Sequence, residues 1–149
     1  MNTGNPIVDV IGMLDCSGLV IPASWHFTIT RDSGRPHYPA ITLLAEIVSW
    51  YMPKPIYNDK GYVVDYQAQF DGDFLCRSYE KLSNSLNMSK QQAQRALTYL
   101  EQLGIVKRHF YEEYIEEVRY STPNHLAIEL IPEGLLAVTR ILDDTLEKT

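Results

Sequence analysis

A chain of 149 residues with 45% hydrophobic and 21% charged side chains is long enough for one well-filled core and short for two independent ones. Its 11% aromatic content excludes a disordered chain, and no uncharged apolar run approaches the roughly 18 residues of a membrane span. A net charge of −6 excludes a uniformly basic surface, so any contact with a polyanion requires cations gathered on one face.

The first residues show no basic flank followed by an apolar core, so no secretory leader and a cytoplasmic location are expected. Cys16 and Cys76 have no metal or redox spacing and read as buried or partly buried thiols of a reducing compartment.

Residues 1–37 read as an N-terminal β arm. Short β-branched runs at 7–11 and 19–21, punctuated by Gly4, Gly12, Gly18 and Pro22, suggest one or two strands. Trp25 is expected to anchor the ASWHFTI segment on the core. RDSGRP, at 31–36, is a turn; Arg31 and Arg35 are side chains able to touch phosphate, but a solvated loop is their expected role. Residues 38–52 form the strongest helix pattern, with Pro39 suited to its first turn and Pro53 ending it. Apolar on nearly all sides, it is expected to lie buried, with its one charge, Glu46, either on an exposed strip, the better reading, or paired with a nearby base. Residues 53–75 suggest an inserted β hairpin whose turn is Asn58, Asp59, Lys60 and Gly61. Asp71, Gly72 and Asp73 lack the closing glutamate and spacing of a calcium loop and read as a turn.

The stretch RSYEKLSNSLNMSKQQAQRALTYLEQLGIVKRHF, residues 77–110, organises the rest. Ser78 opens a short helix with Tyr79, Leu82 and Leu86 on one face. Ser89, with Gln92 three residues later, is a capping box that opens a second helix. Ala93, Ala96, Leu97, Leu100 and Leu103 form its apolar stripe, and Lys90, Gln91, Gln94, Arg95 and Thr98 its polar one. Gly104 stops that helix, and a strand carrying Lys107 and Arg108 follows. Residues 77–108 hold six cations against two carboxylates, a local charge of +4 that leaves −10 on the remainder. Exposed charges more than about 8 Å apart are largely screened at physiological salt, so the local excess counts for more than the total.

This order resembles the helix-turn-helix of winged-helix proteins, in which the second helix enters the DNA major groove and a following hairpin, the wing, lies along the backbone. The resemblance implies that Gln91, Gln94 and Arg95 read bases, with Ser89 and Thr98 beside them, while Lys90, Lys107 and Arg108 hold phosphates. After Phe110 the chain turns acidic at Glu112, Glu113, Glu116 and Glu117, and the alternation of Leu126, Ile128 and Leu130 marks the return strand of the wing. Residues 132–149 carry a last helical pattern. Leu135, Val138, Leu142 and Leu146 on one face either pair two copies of the chain or cap its own core.

The segments VIPASWHFTI, GRPHYPAITLLAEIVSWYMP, GYVVDYQAQFDGDFLCRSYEKLS and SKQQAQRALTYLEQLGIVKR, in that order across residues 20–131, are similar to winged-helix replication proteins of phages and mobile elements. The resemblance implies a DNA-handling role, with duplex DNA and a replication protein as partners, while the stripe of the last helix makes a second copy of the chain a further expected partner. The expected architecture is therefore one α+β domain over 1–149: an arm at 1–37, a winged-helix core at 38–131 and a C-terminal helix at 132–149. The expected function is non-catalytic DNA binding in replication initiation or transcriptional regulation. The alternative is a winged-helix adaptor whose acidic surface holds a protein. No glycine-rich phosphate loop, HExxH, nucleophile elbow or paired CxxC occurs, and His26, His37, His109 and His125 lie on separate elements. No cofactor or metal is expected.

Overall fold

The computed structural model describes residues 2–115 and 120–139. Over that range the chain is mixed α+β: α1 Pro6–Ile11, α2 Trp25–Thr28, α3 Tyr38–Tyr51, β1 Lys54–Tyr57, β2 Val63–Gln67, β3 Leu75–Cys76, α4 Tyr79–Ser85, α5 Lys90–Gln102, β4 Val106–Ile115, β5 Tyr120–Leu130 and α6 Pro132–Val138.

The core is built on α3. Its first turn is organised by His37, whose Nδ1 accepts the Ala40 N–H at 3.2 Å, and by the fixed φ of Pro39. It ends where Pro53 forces the preceding residue out of helical space, and Met52 accordingly takes φ −66, ψ 134. Ile41, Leu43, Leu44 and Ile47 are wholly buried between α5 and the three-stranded sheet, with Trp25 and Ile29 of the α2 segment against the same cluster. The Tyr51 hydroxyl joins three elements. It donates to the Ile128 carbonyl of β5 and accepts the Leu75 N–H of β3 at 3.0 Å, and burial raises its pKa. Glu46 does not occupy an exposed strip. It is half-buried and accepts the Trp50 indole N–H at 3.1 Å, while the Arg77 guanidinium lies 4.4 Å from the same ring's centroid.

Two antiparallel sheets follow. β1 and β2 make the expected hairpin, with Asn58 Oδ1 accepting the N–H groups of Lys60 and Tyr62 and Gly61 at φ +83. The second sheet has the order β3-β5-β4, and its long β4–β5 ladder runs from Val106 opposite Leu130 to Ile115 opposite Tyr120. Leu126 and Ile128 face the core as the alternation predicts. Ala127 is buried as well, because β5 is the middle strand and Ala127 is flanked by Cys76 on one side and His109 on the other.

The N-terminal β arm is corrected. Residues 6–11 are helical because Asn5 is an N-cap, its Oδ1 accepting from Ile7 and Val8, and Pro6 occupies the first helical position. Cap and proline together outweigh the β preference of Ile7, Val8, Val10 and Ile11. Residues 19–21 join no strand; among the described residues before α3, extended pairing is limited to one bridge between Thr30 and Pro36 around the RDSGRP turn. Both cysteines are exposed rather than buried. Their burial depends on partners distant in sequence, which spacing does not report.

The C-terminal helix is described as far as Val138, with Thr139 as its cap. Leu135 and Val138 pack against the chain's own core, and the strap is completed by two hydrogen bonds. The Thr28 hydroxyl donates to the Val138 carbonyl at 2.8 Å, and the Trp25 indole donates to the Thr139 hydroxyl at 2.8 Å. Leu142 and Leu146, the other half of the stripe expected to pair two copies, lie outside the described residues. No helix among the described residues is long and apolar enough to cross a membrane.

Candidate nucleic-acid interface

The helix α5 is capped at both ends by its own sequence. Ser89 Oγ accepts the Gln92 N–H at 3.0 Å while Gln92 Oε1 accepts the Ser89 N–H at 3.0 Å, so the capping box is complete. At the other end Gly104, at φ +77, donates to the Glu101 carbonyl, and the Ile105 N–H reaches the Leu100 carbonyl. This is the two-bond Schellman closure, with Leu100 and Ile105 both buried beside it. The position after the cap requires a left-handed residue, which is why glycine stands there. Leu103 is corrected from the buried stripe to a cap residue, 41% exposed, because the helical repeat ends one residue earlier.

Between the caps one face is wholly inside. Ala93, Ala96, Leu97 and Leu100 are buried, the two alanines letting α5 sit close to its neighbours α3 and α4. Ser78 caps α4 by accepting the Lys81 N–H, and Asn87, at φ 51, makes the left-handed residue of the turn between the helices. The opposite face of α5 is polar. Gln91, Gln94, Arg95 and Thr98, with Tyr99 and Gln102, line a shallow groove of about 360 Å³. A second recess of about 590 Å³ shares Gln94 and brings in Lys90, Ser78, Tyr79, Arg108 and Phe110.

The expected site residues therefore divide into three groups. Lys90, Gln91, Gln94 and Arg95 are exposed on one helix face, and Lys107 is exposed at the base of β4. Ser89 and Thr98 are committed locally, the first to the cap and the second to a bond from its hydroxyl to the Gln94 carbonyl at 2.9 Å. Arg108 departs from expectation. Its side chain is only 14% exposed, with Nη2 donating to Glu101 Oε2 at 2.7 Å, Nε to the same oxygen at 3.2 Å and Nη1 to the Tyr79 hydroxyl at 3.1 Å; its backbone N–H donates to Glu101 Oε1 at 2.9 Å. Its role as an outward phosphate holder is corrected to that of a clamp joining α4, α5 and β4. The bonds from Arg108 hold the Glu101 carboxyl below the usual carboxylate range.

Glu101, Tyr79 and Arg31 were not legible as parts of this region. Glu101 precedes Arg108 by seven residues across the Gly104 reversal, a spacing that becomes a contact only once the Schellman turn folds the strand back on the helix. Arg31 reaches it from the turn before α3 and lines a cleft with His37, Gln92 and Arg95. Among the described residues the carboxylate contacts of basic side chains are the Arg108–Glu101 ion pair and the His109–Glu129 hydrogen bond, so Lys90, Arg95 and Lys107 have no carboxylate partner there. No cluster of three metal-ligating side chains occurs among those residues.

Ser89→Ala is expected to lower stability by about 1 kcal/mol, read as a shifted denaturation midpoint at constant slope. An unchanged midpoint would mean that the box contributes nothing to α5.

Fold and site together define an α+β protein that presents one doubly capped amphipathic helix with its polar face outward, beside a long antiparallel hairpin. No protein-family model matches the sequence, no curated protein is significantly similar to it, and no solved structure matches it at a significant level.

Proposed function

We propose that this chain is a non-catalytic DNA-binding protein of a phage or mobile element, acting in replication initiation or transcriptional regulation through a winged helix-turn-helix. The observation that carries the reading is the division of α5 into a fully buried apolar face and an exposed face of Lys90, Gln91, Gln94 and Arg95. The succession α3, β3, α4, α5, β4, β5, with β5 in the middle of the sheet, supports it by setting the helix pair beside a hairpin that can serve as the wing. In this reading α5 lies in the major groove. Gln91, Gln94 and Arg95 meet base edges, and Lys90 and Lys107 meet phosphates.

The adaptor reading draws on the neutralisation of Arg108, which removes one outward cation from the base of the wing. Titration of a labelled mixed-sequence duplex at two salt concentrations separates the two. Phosphate binding weakens steeply with salt, whereas an adaptor leaves the duplex free at both. Within the DNA reading, Arg95→Ala is expected to weaken the preferred sequence about tenfold or more while sparing others, a loss of about 1–3 kcal/mol of discrimination. Lys107→Ala should weaken all sequences alike and flatten the salt slope by about one. Equal loss on every duplex with Arg95→Ala would reject base reading by that residue.

A further inference from the structure

Two arginines far apart in sequence line one small cleft without a carboxylate. Arg31 stands in the turn between α2 and α3, which is closed by its own N–H to the Arg35 carbonyl at 2.8 Å and by the Gly34 N–H to the Arg31 carbonyl at 2.8 Å. That turn is fastened to the body of the protein at both ends. The Tyr99 hydroxyl of α5 donates to the Thr30 carbonyl, and the His37 N–H donates to the Ile29 carbonyl at 2.9 Å. Arg95 lies one helical turn before Tyr99, so the bond from Tyr99 sets the two cationic elements side by side.

The cleft, about 180 Å³, is lined by Arg31, His37, Pro39, Gln92 and Arg95. Its donors are defined by what their other atoms already do. His37 Nδ1 accepts the Ala40 N–H, which leaves Nε2 as the protonated nitrogen of the neutral ring, and that ring lies 4.5 Å from Tyr99 by centroids. Gln92 Oε1 is held by the Ser89 N–H, which leaves the amide NH₂ as its donor. Neither arginine forms an ion pair among the described residues. Asp32 is near enough to raise the pKa of the Tyr99 hydroxyl, after burial, but does not line the cleft. Two arginines, a histidine and a glutamine therefore line one space, and none of the lining residues is a carboxylate. An anion with several acceptor oxygens suits that lining.

We propose that this cleft receives a phosphate group, namely the backbone phosphate diester flanking the duplex segment that α5 reads. The assignment rests on the DNA-binding reading above and extends its footprint to the turn at 31–35, on the opposite side of α5 from the wing contact at Lys107. A free phosphate carries the same chemistry, and the test separates the two sources.

The full chain would be titrated with a labelled mixed-sequence duplex across a series of salt concentrations, and the arginine Nε–Hε resonances followed with the duplex and, separately, with inorganic phosphate. Arg31→Ala is expected to weaken duplex binding about fivefold and lower the salt slope by about one, while Arg31→Lys keeps the slope by keeping the charge. Both the Arg31 and Arg95 resonances should move on addition of duplex. Undiminished affinity and slope in Arg31→Ala would overturn the cleft and leave DNA binding by α5 standing. Absence of duplex binding by the unaltered chain, with inorganic phosphate still moving both resonances, would overturn the DNA reading and establish the cleft as a site for a free anion. Failure of both ligands to move either resonance would overturn the cleft, and the absence of duplex binding by the unaltered chain as well would overturn the DNA reading with it.

Discussion

Replacing Gly134 by alanine is expected to lower the stability of this protein by about 3 kcal/mol, the upper part of the range for forcing an extra methyl group into a packed site. Gly134 lies in the first turn of α6, where a Cβ would stand 1.9 Å from the Gly104 carbonyl oxygen, 2.6 Å from its carbon and 2.9 Å from Ile105 Cα. All three are backbone atoms, so no rotamer change relieves the overlap. Nor is the backbone free to give way: Gly104 is held by the Schellman closure of α5, and the Ile131 N–H bonds to the Ile105 carbonyl at 2.8 Å. The helix must lift instead. Lifting it removes Leu135 and Val138 from the core and breaks the hydrogen bonds from Thr28 and Trp25. Gly104→Ala offers the contrast. A Cβ there meets open space, and only the left-handed backbone at φ +77 opposes it, so a cost of about 1–2 kcal/mol is expected. Denaturant unfolding of both variants checks this, and a Gly134→Ala midpoint equal to that of the unaltered chain would show that α6 does not dock on the end of α5.

Glu101→Gln is expected to cost about 2 kcal/mol of stability and, at the same time, to tighten duplex binding. The cost arises because the Arg108 guanidinium, with 14% of its side chain exposed, loses the charged acceptor of two of its bonds. The gain follows if the released guanidinium turns outward beside Lys107, raising the salt slope by about one. The same pair makes stability acid-sensitive. Because the folded-state pKa of Glu101 is lowered, its contribution is complete above the ordinary glutamate pKa of about 4.3 and is lost as pH falls through the lower folded value. In Glu101→Gln that loss is already present at neutral pH, so its stability should differ least from the unaltered chain at the acid end. A difference that stays constant from neutral pH downward would reject the ion pair as its source.

Much of α3, α4 and α5 was legible because their signals are local. A capping serine and its glutamine partner lie three residues apart, a proline acts on its neighbour, and an apolar stripe at three and four needs only the helical repeat. The hairpin turn at Asn58 to Gly61 was legible for the same reason, since one side chain and one glycine set its shape. The arm at 1–37 failed where two local signals competed and the cap at Asn5 with Pro6 prevailed over β-branched composition. What the amino-acid order alone could not reveal is the company each charge keeps. Arg108 reads as an outward cation and is turned inward by Glu101 and Tyr79; Arg31 reads as a solvated loop residue and is brought to Arg95 by the bond from Tyr99 to Thr30. An exposed guanidinium and a clamped one have the same sequence signature. Only the folding back of strand on helix at Gly104, and of the 31–35 turn on α5, decides which arginine meets a carboxylate and which is left facing a cleft.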